Sequence, residues 1–279
     1  MPVWRLRDRT LDFPPPLAAG IVNVTDDSFY EGARSGTAER AVEDGLRLVE
    51  AGFDLLDVGA VAARSGPPVA PAEEAAKLVP AIEALAGRAD VPLLADTFSP
   101  EVARGALAAG ATAINDISGG CPEMFEAVAD AGAGYVLMHI EGPPRVDRAA
   151  PGYDDVVEHL KAWFSQRIAA AMDAGIAEDA IALDPGPDFD FTTDDDLAVM
   201  RRLGELRSLG RPLFVALSRK DFLGAILAGS WEGRLPAGER GAATLAAVTL
   251  AVAEGADMLR LHDVEALDAM RVSAAVLGR

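Results

Sequence analysis

Eight short apolar runs, each ending in a polar residue, constrain the fold of this chain more than any other feature. Five of them share a shape: AGFDLLDVG (51–59), AGATAINDI (109–117), AGAGYVLMH (131–139), AGIAEDAIALDPG (174–186) and EGADMLRLHD (254–263). In each, a helical stretch gives way to a Gly suited to the left-handed position past a helix C-terminus, and an apolar strand follows. LAAGIVNVT (17–25), VPLLADT (91–97) and RPLFVALSRK (211–220) complete the set.

Near-continuous apolar strands that alternate with amphipathic helices are parallel strands covered on both faces. Eight such units predict an α/β fold, a (β/α)8 TIM barrel over 17–279, in preference to an open doubly wound sheet. The 279 residues suit one such barrel, and no Pro-, Gly- or Ser-rich linker divides them. Half the residues are hydrophobic and only 6% aromatic, so the core is expected to be Ala, Val, Leu and Ile. Residues 1–16, with VWRLRDRTLDF, read as a short β-hairpin under the barrel or as a tail.

The formal net charge of −19 argues against nucleic acid, whose phosphates require a basic stripe. One cysteine, Cys121, excludes an intrachain disulfide and a cysteine-based metal cluster. The longest uncharged stretch, Gly241 to Ala253, is too short to span a bilayer, so the expectation is a cytoplasmic protein without membrane contact.

Active sites of such barrels lie at the C-terminal ends of the strands. The residues found there are Asn23, Asp57, Asp96, Asn115, His139, Asp184, Ser218-Arg219-Lys220, and Arg260 with His262. One polar residue leaving a strand is ordinarily a cap or turn former; eight on one rim point to a site. Asp96, Asn115 and Asp184 are short acceptors suited to the amidine-like edge of a heterocycle. Arg64, Lys220, Arg260, His262 and Asn23 are donors suited to a phosphate. A hydrolase with several His ligands is disfavoured, because only His139, His159 and His262 exist and His159 reads as mid-helical. A single Mg²⁺ between Asn23 and a pyrophosphate is compatible.

At these residues the sequence resembles the dihydropteroate synthase family, from about Leu17 to about Val272. GIVNVTDDSFYEG is similar to the family's GILNVTPDSFSDGG, and LLADTFSPEVA, INDISGG, VLMH, DPG, LSRKDFLG and RLHDV follow in the family's order. The resemblance implies condensation of 6-hydroxymethyl-7,8-dihydropterin pyrophosphate with 4-aminobenzoate, with Mg²⁺ as cofactor and a homodimer as the assembly. It also implies that Asp96, Asn115, Asp184, Met138 and Lys220 hold the pterin. Asn23 (through Mg²⁺), Arg64, Arg260 and His262 serve the pyrophosphate, with Lys220, Arg260 and His262 as the catalytic set.

The departures from the family pattern fall on the side of the second substrate, the arylamine. The family's D-x-G-x-E-S-T-R-P-G loop reads DVGAVAARSGPP, placing Ala63 and Ser65 where Thr and Pro are usual. DPGPDFDF replaces DPGIGFGK, retaining Phe189, and Asp221 stands where the family has Ser. Three roles are open for Asp221: a cap for the following helix, a charge that repels aminobenzoate, or the mark of a different second substrate. A diverged relative that binds the pterin without transferring it is the alternative to a synthase. A methyltetrahydrofolate-binding methyltransferase domain is disfavoured by SRK and RLHD, which serve a pyrophosphate that such a substrate lacks.

Overall fold

The computed structural model describes residues 2–24, 38–63, 66–146 and 148–279. A hairpin of β1 (Val3–Arg5) and β2 (Thr10–Asp12) precedes eight parallel strands: β3 (Leu17–Asn23), β4 (Leu55–Gly59), β5 (Leu93–Asp96), β6 (Ala113–Asp116), β7 (Gly134–Met138), β8 (Ile181–Asp184), β9 (Phe214–Ala216) and β10 (Met258–Leu261). The sheet runs β8-β7-β6-β5-β4-β3-β10-β9. A parallel bridge between Leu183 and Leu213 joins its two ends. The sheet is therefore a closed barrel, as the eight-unit pattern predicts.

The helices that cover it are α1 (Ala38–Ala51), α2 (Pro71–Ala86), α3 (Pro100–Ala108), α4 (Pro122–Ala131), α5 (Val156–Asp173), α6 (Thr193–Arg201), α7 (Asp221–Ala228), α8 (Gly241–Ala253) and α9 (Val264–Leu277). The five glycines of the repeated joint, Gly52, Gly110, Gly132, Gly175 and Gly255, all have positive φ. A side chain there would strain the turn from helix into strand. Starts are fixed by side-chain caps: Asp155 accepts from Val157 and Glu158, Thr192 and Asp195 form a reciprocal capping box, and Asp263 accepts from Ala266.

The pleat sorts the strand residues into layers. At the N-terminal end the interior is filled by one residue from each strand, Ala19, Leu55, Leu94, Ala113, Val136, Ala182, Phe214 and Met258, packed with Trp4, Leu6 and Phe13. The hairpin is thus a plug for the barrel floor, not a tail. Trp4 is fully buried and its Nε1 donates to the Ala180 carbonyl at 2.8 Å. Burying side chains of this size contributes about 1.5–3 kcal/mol each. Gly134 makes the fit possible, since a Cβ there would lie 2.6 Å from Leu6.

Candidate functional site

Two residues beyond the floor layer, each strand again points inward, because side chains in a strand alternate with period two. That step leads from Leu55 to Asp57, Leu94 to Asp96, Ala113 to Asn115, Val136 to Met138, Ala182 to Asp184 and Met258 to Arg260. A further step reaches Asn23, Ser218 and His262. The same alternation that packs the floor therefore lines the mouth with polar groups.

Arg260 is the hub. Its Nε donates to Asp57 Oδ2, its Nη2 donates to Asp96 Oδ2 at 2.6 Å, and Asn115 Nδ2 donates to Asp57 Oδ2 at 3.2 Å. Asp57 is wholly buried and Asp184 nearly so. Burial raises the Asp184 carboxyl to about 6, against the Gly186 amide that donates to it and the nearby Lys220 and Arg260 charges. Burial likewise pushes Asp96 above the usual carboxylate range, opposed by Arg260. Asp57 Oδ1 and Asn115 Oδ1 are buried acceptors with no hydrogen-bond partner among the described residues, and such atoms in a native interior call for a donor.

Lys220 Nζ donates to the Pro187 carbonyl at 3.0 Å and lies 4.7 Å from the centre of the Phe189 ring. Phe189 in turn packs, with Ala63 and Phe98, on the small cluster of Ile117, Met138 and Ile140. Met138, Phe189 and Ala63 thus form one apolar wall, next to the acceptors. His262 Nδ1 sits 2.8 Å from Ser218 Oγ. Burial, with Arg260, Arg219 and Lys220 beside it, holds this imidazole neutral by lowering its pKa to about 3. A neutral ring carries one proton, and with Ser218 Oγ as donor to Nδ1 that proton would sit on Nε2.

Asn23 ends β3 half-buried, in register with Gly59. Its amide oxygen is a hard, neutral ligand, which fits Mg²⁺ bound through few protein groups and several waters or phosphate oxygens. Arg64 and Ser65 lie outside the described residues.

Asp221 does not cap α7. That role falls to Asp188, whose carboxylate accepts from the Asp221 and Phe222 amides. Asp221 instead turns its own carboxylate to the segment after α7: Oδ1 lies 2.6 Å from Arg240 Nη1 and Oδ2 3.4 Å from Arg234 Nε. Gly224, one turn along the same face, makes room, because a Cβ there would meet Arg240 Nε at 2.6 Å.

One reading of the sequence needs completing and another correcting. Asp57 appears among the strand ends without a role, yet it ties Arg260 to Asn115; the period-two step from Leu55 identifies it. His159 is not mid-helical but lies in the first turn of α5, where it meets His139 and Glu141. His139 therefore belongs to that group and not to the acceptors of the mouth. Asp188 was missed altogether. Its signal was an Asp, tolerant of positive φ (here 69°), at a Gly position of the DPGIGFGK pattern.

A family profile described as "Pterin binding enzyme" matches residues 19–262. The dihydropteroate synthase of Escherichia coli is 37% identical over 272 residues, covering 96% of this chain and 94% of that protein. Among solved structures, Xanthomonas albilineans dihydropteroate synthase with 4-aminobenzoic acid superposes with a TM-score of 0.88 at 41% identity, covering 100% of this chain and 99% of the other. The Yersinia pestis enzyme in complex with a sulfonamide drug has a TM-score of 0.91 at 34% identity, with 99% of both chains covered.

Proposed function

The chain belongs to the pterin-binding enzyme family, and we propose that it is a dihydropteroate synthase, joining 6-hydroxymethyl-7,8-dihydropterin pyrophosphate to 4-aminobenzoate with release of pyrophosphate. The observation that carries this reading is the convergence of Asp96, Asn115 and Asp184 with Arg260 at one end of the barrel. Buried acceptors match the donor edge of a pterin, and a guanidinium among them balances charge that would otherwise be costly to bury.

In this reading the pterin lies between the acceptors and the wall of Met138 and Phe189, with Lys220 over its edge. The pyrophosphate meets Arg260 and His262, with Asn23 on the same side. Asn23 would hold Mg²⁺, which when bound would supply Lewis-acid charge compensation for the pyrophosphate. The bond between the methylene carbon and the pyrophosphate oxygen breaks and its electron pair leaves with pyrophosphate. The amine lone pair then forms the new C–N bond, and the surplus amine proton passes to solvent. Donors preorganised at the leaving group are the main catalytic contribution. A neutral arylamine needs no strong base.

Asp221 sets no unpaired charge against the second substrate, because its carboxylate is held by Arg240 and Arg234. This favours a synthase over a pterin-binding relative without transferase activity. Calorimetric titration with the pterin pyrophosphate and Mg²⁺ tests the site. Binding by the wild type that is lost in Asp96→Ala is expected, whereas equal affinity in the two proteins would refute the assignment.

A homodimer is the second element of the proposal. Leu250 on α8 and Val272 and Val276 on α9 are exposed, Val276 to 80%, on helices packed side by side. A second copy of the chain would cover this apolar face. No helix among the described residues is long and apolar enough to cross a membrane.

A further inference from the structure

Two of the three histidines stand together behind β7, beside the barrel mouth but not part of its acceptor cluster. His139 follows β7, Glu141 comes two residues later, and His159 lies in the first turn of α5; their ligand-type atoms all fall within 4.8 Å of one another. A single oxygen, Glu141 Oε1, is approached by both rings, by His139 Nε2 at 3.1 Å and by His159 Nε2 at 2.6 Å. Despite that short approach, His159 Nε2 is buried and makes no aligned hydrogen bond. His139 Nε2 is hydrogen-bonded to that oxygen, whereas His159 Nε2 crowds it without an aligned bond, so three ligand-type groups meet around one point.

The surroundings hold this group in place. Phe191 stacks on His139 with ring centres 5.2 Å apart, and Trp163 meets it edge-on at 5.0 Å. Tyr153 donates to Glu141 Oε1 at 3.3 Å and packs on the His159 ring. The Glu141 amide donates to Asp190, whose carboxylate is clamped by Arg148. An aromatic shell with one hydroxyl on the carboxylate is the kind of outer support that orients metal ligands.

We propose that His139 Nε2, His159 Nε2 and the Glu141 carboxylate bind one divalent transition-metal ion of the zinc class, with water as the fourth ligand. Two imidazoles and a carboxylate with an open position are a known zinc donor set. A tetrahedral ion with bonds of about 2.0–2.2 Å spaces its donors by about 3.3 Å, so the partly exposed His159 ring, 2.6 Å from Glu141, would withdraw from it by roughly 0.7 Å. Nitrogen donors select zinc, cobalt or nickel over Mg²⁺, which keeps this site chemically separate from the one assigned to Asn23. The ion would tie the end of β7 to the start of α5. Burial disfavours the charged form of His139, and the hydrogen bond from His139 keeps Glu141 ionised; on ligation that bond is exchanged for the metal.

The inference does not depend on the synthase reading, and its test needs no activity assay. Chelator-treated full-length protein is titrated with Co²⁺, read by visible d–d absorption, and with Zn²⁺, read by the shift in Tm. The wild type is expected to bind one equivalent in a tetrahedral or five-coordinate environment, undisturbed by millimolar Mg²⁺. His159→Ala and Glu141→Gln, shown to be folded by their metal-free Tm, are each expected to weaken binding by more than tenfold. Absence of d–d bands in the wild type, or equal affinity in both folded variants, would overturn the proposal.

Discussion

Arg240 Nη1 lies 2.6 Å from Asp221 Oδ1, with Arg234 Nε at 3.4 Å from the other carboxylate oxygen. Two cations thus answer one acid at the start of α7. Left unpaired, that carboxylate would oppose an anionic second substrate by about 1 kcal/mol in water and several-fold more where solvent is excluded. Paired, it presents no net negative charge. The Michaelis constant for 4-aminobenzoate is therefore expected to change less than about threefold in Asp221→Ser, and to rise by about tenfold or more in Arg240→Ala, the step that 1.4 kcal/mol produces. Steady-state kinetics on both variants decides; a large fall in the constant for Asp221→Ser would mean that the acid acts on the substrate after all.

Asp188 governs the same helix from the opposite side. Its carboxylate takes the first two amides of α7 while its own amide donates to Asp196 at 3.0 Å. Removing a cap costs about 1 kcal/mol, up to about 2. Asp188→Ala should therefore lower Tm by roughly 2–6 °C for a chain of this size. Asp188→Gly should lower it less, because φ here is 69° and glycine adopts it freely. Calorimetric melting of the two variants checks both the size and the order.

Much of this was legible in the chain. The barrel follows from eight apolar runs and five Gly joints, because helix exit and strand entry are decided locally by backbone conformation and hydrophobic pattern. Asp96, Asn115 and Asp184 were legible because they end strands. The partner of Asp221 was not: Arg240 is 19 residues away in a segment without periodicity, and only the space left by Gly224 lets it approach. The meeting of His159 with Glu141 was equally hidden, since where α5 starts depends on the Asp155 cap, which a shift of a few residues would have placed elsewhere.

Ligand binding should depend on pH with a definite sign. Asp184 is raised to about 6 from 3.8 by burial, so its ionisation costs the unliganded fold stability. That contribution is most favourable below about 4 and is lost as pH rises through about 6. A pterin edge needs the ionised acceptor, so pterin affinity should weaken by about tenfold per pH unit below about 6, with proton release on binding in that range. Titrations in buffers of different ionisation enthalpy measure both. Affinity that is flat from pH 5 to 7 would show that Asp184 is not an acceptor for the ligand.

The Arg260 hub makes a prediction about stability. Asp57 is fully buried between Arg260 and Asn115, and removing one partner of such a pair strands the other. Asp57→Ala should cost about 3–5 kcal/mol, whereas Asp57→Asn retains part of the hydrogen bonding and should cost less. Urea unfolding of the two proteins gives the comparison.

The activity proposed for this barrel is the joining of a pterin to an arylamine. The most direct measurement is formation of 7,8-dihydropteroate from the pterin pyrophosphate, 4-aminobenzoate and Mg²⁺, followed together with pyrophosphate release. Equal amounts of both products, dependence on the arylamine, competition by a sulfonamide, and loss of turnover in Asp96→Ala are expected. Pyrophosphate release that ignores 4-aminobenzoate, or pterin binding with no dihydropteroate formed, would contradict that activity.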